Sequence, residues 1–461
     1  MKLSDLVDFN PKRSLKKGIH ASFVEMASLP ENGRDISKID KKTFTGSGSK
    51  FANRDTLFAR ITPCLENGKT SLVSGLLDGE VAFGSTEFIV LTAKESEDDS
   101  DYIYYLSRLP EFRSFAQSRM EGTSGRQRVA WQALADYEYE FPSKNIRKCA
   151  GNILRKLDDK ISLNHQVNQT LEQMAQALFK SWFVDFEPVK AKIALLEAGG
   201  SQEDATLAAM TAISGKDSDS LVIFQQEHTE QYGKLKATAE LFPSAMQESE
   251  LGDIPSDWSI GKLGDIIEFN PKRTLKKGNI ASYLDMKNVP VVGHSAQDII
   301  DREFSSGSKF KNGDTLLARI TPCLENGKTA YVDFLPTDEV VGWGSTEFII
   351  MRSNKNLPSS LSYFFARLDS FRNIAIQSMQ GTSGRQRADA SVLENHVWVV
   401  PSKELLQRFG TFSDSILNGN RSRYTENKSL TQLRDTLLPK LLSGEITLPE
   451  AEQALSEAIH V

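Results

Sequence analysis

Residues 55–70, DTLFARITPCLENGKT, return at 314–329 as DTLLARITPCLENGKT, with Phe58 against Leu317 the single difference. Flanking matches keep an offset of 259 or 260: FNPKR and LKKG within 9–18 and 269–278, GSTEFI at 84–89 and 344–349, GTSGRQR at 122–128 and 381–387. A period this long is a whole domain copied, not the 20–50-residue unit of a solenoid. The 461-residue chain must therefore fold as two similar globular domains with whatever joins them.

The duplication continues into helical sequence. NQTLEQMAQALFK from Asn168 aligns at the same offset with NKSLTQLRDTLLPK from Asn427. In the first copy Leu154, Leu157, Ile161, Asn164, Asn168, Leu171, Ala175, Leu178 and Trp182 alternate spacings of three and four, which is the seam of a coiled coil. Asn164 and Asn168 place polar groups on that seam, a device that fixes register at some cost in stability. The second copy is weaker, with Ile416, Leu430, Leu437 and Leu441 apolar but Asn420, Arg423 and Arg434 polar at matching places. At ~1.5 Å per residue, forty residues would make a rod of roughly 60 Å. Two helices that pair with each other, or two that pack separately on their own domains, both satisfy this pattern.

Six segments follow: a first domain at 1–145, a helix at 146–186, a connector at 187–254, a second domain at 255–402, a helix at 403–443 and a tail at 444–461. The connector has no counterpart in the second half, and its Ala-rich helical stretches are interrupted by Gly199-Gly200 and Gly215. Charge sharpens the division. The whole chain carries a formal −6, which argues against a polyanionic partner. Residues 185–253, however, hold 13 acidic and 5 basic side chains, a net of −8, so everything else sums to +2. The repeated domains are near neutral, with clustered positive charge.

Within each domain, short aromatic and β-branched runs bounded by Gly, Ser or Pro predict strands at 80–83, 87–91 and 137–141. Helical spacing of Tyr102, Tyr105, Leu106, Leu109, Phe112 and Phe115 predicts one helix over about 101–117. The fold class is α+β.

Two clusters could carry chemistry. Lys12, Arg13, Lys16 and Lys17 recur as Lys272, Arg273, Lys276 and Lys277, and such a group fits phosphate contacts, which hold a protein on DNA without reading sequence. The second cluster is Thr123, Ser124, Arg126, Gln127 and Arg128, repeated as Thr382, Ser383, Arg385, Gln386 and Arg387 between and after flexible glycines. Arg and Gln match the donor and acceptor edges of guanine and adenine in the major groove; a turn held by Ser and Thr is the alternative. Arg60, Thr62 and Lys69, with Arg319, Thr321 and Lys328, are DNA-facing polar groups or scaffold.

Catalysis finds little support. Gly68-Lys69-Thr70 and Gly327-Lys328-Thr329 look like the end of a P-loop, but Pro63 and Pro322 stand where its first glycine belongs. There is no G-x-S-x-G or H-E-x-x-H, and His20, His165 and His396 face non-histidine partners in the other copy. Cys64, Cys149 and Cys323 form no CxxC pair, so neither a disulfide framework nor a zinc site is expected. No metal or cofactor is expected. No apolar run approaches the ~20 residues of a membrane span, and residues 1–5 do not read as a signal peptide. The expected location is cytoplasmic.

The order of these segments resembles the specificity subunit of type I restriction-modification enzymes. The resemblance rests on NQTLEQMAQALFKSWFVDF at 168–186, ELGDIPSDW at 250–258 and LRDTLLPKLLSGEI at 433–446, and it covers essentially the whole chain. It implies two target-recognition domains separated by two long antiparallel coiled-coil helices in a pseudo-two-fold arrangement, each domain reading half of a split double-stranded DNA site. It also implies a non-catalytic subunit that docks two methyltransferase and two restriction-translocase subunits. Leu171, Met174, Leu178 and Trp182 on one helix, with Leu430, Leu433, Leu437 and Leu441 on the other, are the expected docking positions. One departure stands out: Ile254–Trp258 leads into the second domain, whereas the first opens at Lys2-Leu3-Ser4-Asp5, which aligns with 262–265.

Because GTSGRQR and ARITPCLENGK are the same in both copies, the expected target has closely related, inverted half-sites. If the half-sites differ, the discriminating residues belong to the divergent stretches 19–46 against 279–305 and 129–140 against 388–399. A stand-alone bipartite DNA-binding protein is the alternative, separated by co-purification with a methyltransferase.

Overall fold

Burial on both faces, or on neither, decides where each strand sits. The first repeat contains β1 (Val7–Phe9), β2 (His20–Val24), β3 (Asp40–Thr43), β4 (Ser49–Phe51), β5 (Thr56–Ala59), β6 (Thr70–Leu72), β7 (Ala82–Gly84) and β8 (Phe88–Ala93). They form one antiparallel sheet of order β1-β8-β5-β6 and a second of order β3-β2-β7-β4, in which β2 and β7 run parallel. In the first sheet Leu57 and Val90 face one apolar cluster with Val24 and Phe51, while Phe58, Ile89 and Leu91 face another with Tyr102, Tyr105 and Phe112. That sheet is covered on both faces, which is why β5 and β8 read as continuous apolar runs. The edge strand β3, DKKT, instead exposes Lys41 and Lys42, charges that discourage pairing with another chain.

The computed structural model describes residues 1–94, 99–123, 125–381 and 385–446. Two compact units emerge, Met1–His165 with Thr425–Val461, and Gln166–Tyr424. The second unit repeats the sheet order and register of the first, Thr56 opposite Leu91 becoming Thr315 opposite Met351, and Phe23 opposite Phe83 becoming Tyr283 opposite Trp343.

Two local expectations need correcting. The helix over 101–117 is two helices, α1 (Ser100–Arg108) and α2 (Pro110–Gln117), parted by Leu109 in an extended conformation. Proline at the first position of α2 starts that helix but cannot continue α1. The break recurs at Leu368 although Asp369 replaces the proline, and both leucines are buried, so packing also sets it. Residues 137–141 form a single bridge, Glu138 with Lys2, not a strand. Their counterparts Val397–Val400 do pair over four residues with Ser259–Lys262, sequence that follows the Ile254–Trp258 lead-in.

Helix Lys144–Phe183 and helix Lys403–Ser443 carry 40 and 41 residues. In the first unit their segments run antiparallel: Asp158 pairs with Arg434 at 2.7 Å and the Asn164 amide donates to Asn427 at 2.8 Å. In the second unit Asn168 and Asn420 each donate to the other's backbone carbonyl at 3.2 Å. These buried amides are matched only in one register.

The connector, in the second unit, forms helices Glu187–Glu197, Gln202–Ser214, Ser218–Glu227 and Thr229–Glu240. Two of its three breaks lie at the predicted glycines, Gly199-Gly200 and Gly215, and the third is at His228. Gly215 caps one helix with a left-handed φ of 67°, and Ser201 and Asp204 cap each other reciprocally at the start of the same helix. Trp182 and Phe183 from the FKSWF stretch meet Phe242, Phe409 and Trp258 of the IPSDW lead-in, with ring centroids 5.3–6.3 Å apart. This aromatic cluster accounts for both motifs as core.

Candidate DNA-binding surface of each repeat

The loop between β5 and β6, ARITPCLENGK, is a closed turn. Leu65 donates to Ile61, Asn67 to Pro63, and Lys69 to Cys64, all through the backbone at 2.9–3.0 Å. Thr62-Pro63 and Thr321-Pro322 are cis. Gly68-Lys69-Thr70 then enters a strand, not the helix that a P-loop requires. The Lys69 ammonium donates to the Met26 carbonyl at 3.2 Å, and Lys328 to Met286 at 2.8 Å. Arg108 and Arg367 grip the carbonyls of Gly68 and Gly327. Lys69 and Lys328 thus have a defined job inside the fold.

The GTSGRQR loop docks on this turn. Thr62 and Gln127 exchange backbone and hydroxyl bonds at 3.0 and 3.1 Å, and Val129 donates to the Arg60 carbonyl. Thr321 repeats the backbone bond to Gln386, and its own hydroxyl is buried without a partner among the described residues. Arg128 is then clamped by Glu87 through Nε and Nη2 at 2.7–3.0 Å, and Arg387 by Glu347 at 2.6–3.0 Å. The hydrogen bond from Arg387 holds the Glu347 carboxyl below the usual carboxylate range. The acid of GSTEFI is therefore the partner of the last arginine of GTSGRQR. Arg126 and Arg385 are exposed and have no side-chain partner among the described residues, while Gln127 and Gln386 are half-buried. Thr123 is exposed; Ser124, Thr382 and Ser383 lie outside the described residues.

The basic loops divide in the same way. Lys12, Lys16, Lys17, Lys272, Lys276 and Lys277 are exposed and form no ion pair among the described residues. Arg13 and Arg273 turn inward onto the buried carboxylates Asp55 and Asp314, at 2.9 and 3.2 Å. Burial pushes the Asp55 carboxyl up, against the bonds it accepts from Thr92, Ala52 and Arg13. Arg60 and Arg319 are half-buried, each with an Nε that finds no acceptor among the described residues.

Sequence reasoning overlooked Asn10, Lys50 and Glu87 and their copies. Asn10 and Asn270 adopt a φ of 50° and accept the amides of Val90 and Ile350, which fixes the start of each basic loop. Their repetition, like that of SKF at 49–51 and 308–310, was the available signal.

A family model described as the type I restriction modification DNA specificity domain matches residues 1–173. The HindI type I restriction enzyme specificity subunit of Haemophilus influenzae is 30% identical over 442 residues, 89% of this chain and 90% of its own length. The chain belongs to the type I restriction-modification specificity subunits. The MjaIX specificity subunit of Methanocaldococcus jannaschii is 20% identical over 76% of the chain and 70% of its own. The crystal structure of an S subunit from M. genitalium covers 96% of the chain and 95% of its own, at 14% identity and a TM-score of 0.49. Specificity subunits act with M and R subunits and DNA, and the enzymatic activity resides in those M and R partners.

In this specificity subunit the apolar helix positions separate by exposure. Trp182, Leu430, Leu437 and Leu441 are buried within their own units. Leu171, Leu178 and Leu433 are half-buried, and Met174 is 52% exposed. Among the described residues no group of three His, Cys, Asp or Glu could hold a metal, and no helix is long and apolar enough to cross a membrane. Cys64, Cys149 and Cys323 are unpaired and half-buried.

Proposed function

We propose that this subunit reads a bipartite DNA target with related, inverted half-sites and seats two methyltransferase and two restriction subunits on it. The observation that carries the reading is the twofold recurrence of one arrangement. In each repeat an exposed arginine, Arg126 or Arg385, precedes an arginine clamped by a glutamate, and exposed lysines crown the loop at 12–17 or 272–277. A held loop presenting a free guanidinium suits base readout, and unpaired lysines suit phosphates. Loop residues at 19–46 and 279–305 would tune any difference between half-sites. Partner subunits would meet Met174 and the half-buried Leu171, Leu178 and Leu433. The subunit would work in the cytoplasm without a cofactor of its own.

Mapping methylated adenines in genomic DNA of cells expressing the system tests the reading. Two related half-sites in inverted order support it. Two unrelated half-sites overturn the symmetry, and loss of the chain without change in methylation overturns the function.

A further inference from the structure

We infer that each repeat carries a built pocket for a DNA phosphate beneath its NPKR loop, with Arg319 and Arg60 as the principal donors. This rests on the reading of the chain as a DNA-binding subunit. In the second repeat a cavity of about 280 Å³ is lined by Asn270, Arg273, Ser308, Lys309, Arg319 and Thr346, among others. Three of these six are cationic, and among the described residues no carboxylate lines the cavity. The Nε atoms of Arg273 and Arg319 are both buried with no hydrogen-bond acceptor among the described residues. A buried N–H without an acceptor is costly, and a guanidinium in that condition is poised for an oxyanion.

The walls are fixed before any ligand arrives. Asn270 pins the loop through Ile350, and Arg273 is tethered at Nη2 by Asp314. The Gly307 backbone lies so close that an added Cβ would fall 2.1 Å from the Gly344 carbonyl oxygen. The first repeat keeps the same residue type at every one of the six places, as Asn10, Arg13, Ser49, Lys50, Arg60 and Thr86. Arg60 Nε is again buried without an acceptor among the described residues, Asn10 again pins the loop, and Arg13 is again held by Asp55. A chance gap between side chains would have no reason to keep its donor set through the drift that separates the copies. Exposed Lys272, Lys276 and Lys277 extend the positive surface along the same loop, which favours a phosphodiester of a long polyanion over a free phosphate.

The test uses the full chain and a duplex of fixed sequence, with affinity measured from 50 to 200 mM salt for wild type, Arg319→Gln, Arg60→Gln, the double variant and Arg319→Lys. Melting temperature serves as the check on folding. Each single Gln variant is expected to reduce the slope of log K against log salt by about 0.9, and the double by about twice that, since one phosphate contact contributes about that much. Arg319→Lys should keep the wild-type slope. Unchanged slopes in folded Gln variants that still bind duplex overturn the pocket while leaving DNA binding intact. Inorganic phosphate that binds the free wild-type chain but not Arg319→Gln, with unchanged DNA slopes, overturns it in favour of a free-phosphate site. A wild-type chain that binds no duplex at all overturns both readings.

Discussion

Arg128 holds Glu87 through two nitrogens, while Arg126, two residues earlier, reaches solvent. The RQR triplet is thus one anchored and one free arginine, a division repeated at Arg387 and Arg385. Arg126→Ala should cost about 1–3 kcal/mol of specific binding at one half-site, and Arg385→Ala the same at the other. Arg128→Ala should instead loosen the loop. Its effect should be strongly non-additive with Glu87→Ala, whereas Arg126→Ala should add independently. Specific and non-specific binding of the single and double variants decides the matter, and equal coupling of both arginines to Glu87 would refute the division.

The duplication made the two-domain plan legible, because identical runs at one offset leave no other reading. Two of the three connector breaks were legible too, since Gly199-Gly200 and Gly215 act locally, whereas the break at His228 carries no such signal. Three further features were not. The split at Leu109 recurs without its proline at Leu368, so it depends on packing that no local signal carries. Residues 137–141 have strand composition but form only the Lys2 bridge, and pairing is a property of two segments. Arg13 and Arg128 look like solvent-facing cations in sequence, and only the sheet order brings Asp55 and Glu87 to them.

Among the described residues Lys12, Lys16 and Lys17 have no ion-pair partner to lose, unlike the anchored Arg13 and Arg128. Replacing all three with Gln should weaken binding uniformly across sequences and lower the salt slope by about 0.9 for each phosphate contact removed. Base preference, measured by competition among duplexes, should stay as it was. A change confined to one base position would reassign the loop to base reading.

The two repeats solve one packing problem differently. In the first unit the buried Asp158 accepts from Tyr105 at 2.6 Å and pairs with Arg434 at 2.7 Å. The corresponding positions in the second unit, offset by 259, are Phe364, Leu417 and Ala175, which share one apolar cluster. Arg434→Ala alone should destabilise by about 3–5 kcal/mol, because it strands a buried carboxylate. Adding Asp158→Leu and Tyr105→Phe should restore most of that loss or exceed wild type. Urea midpoints measure both, and a triple variant no better than the single one would count against the comparison.

His294 gives the second unit a pH dependence above about pH 6.5 whose source has no counterpart at the aligned place in the first. The ring is fully buried, with Asp333 at 3.3 Å and Glu172 at 3.5 Å; Tyr331, Tyr363 and Tyr424 surround it, and Arg367 lies beyond Tyr363. Burial alone would lower its pKa, but the two carboxylates outweigh burial and push it up to about 9. The same partnership holds Glu172 below the ordinary range. A histidine whose folded value exceeds its unfolded value of about 6.5 contributes stability that is complete below about pH 6.5 and lost as pH rises through about 9. The loss should reach roughly 3.5 kcal/mol at most, at about 1.4 kcal/mol per unit. At the aligned place in the first unit stands Arg34, paired with Asp159 at 2.7 Å and charged throughout this range. Hydrogen exchange between pH 6.5 and 9, corrected for intrinsic rates, should show protection falling in the second unit alone. His294→Gln should lower stability at pH 6.5 and flatten that dependence, and a variant as pH-sensitive as wild type would assign the effect to another group.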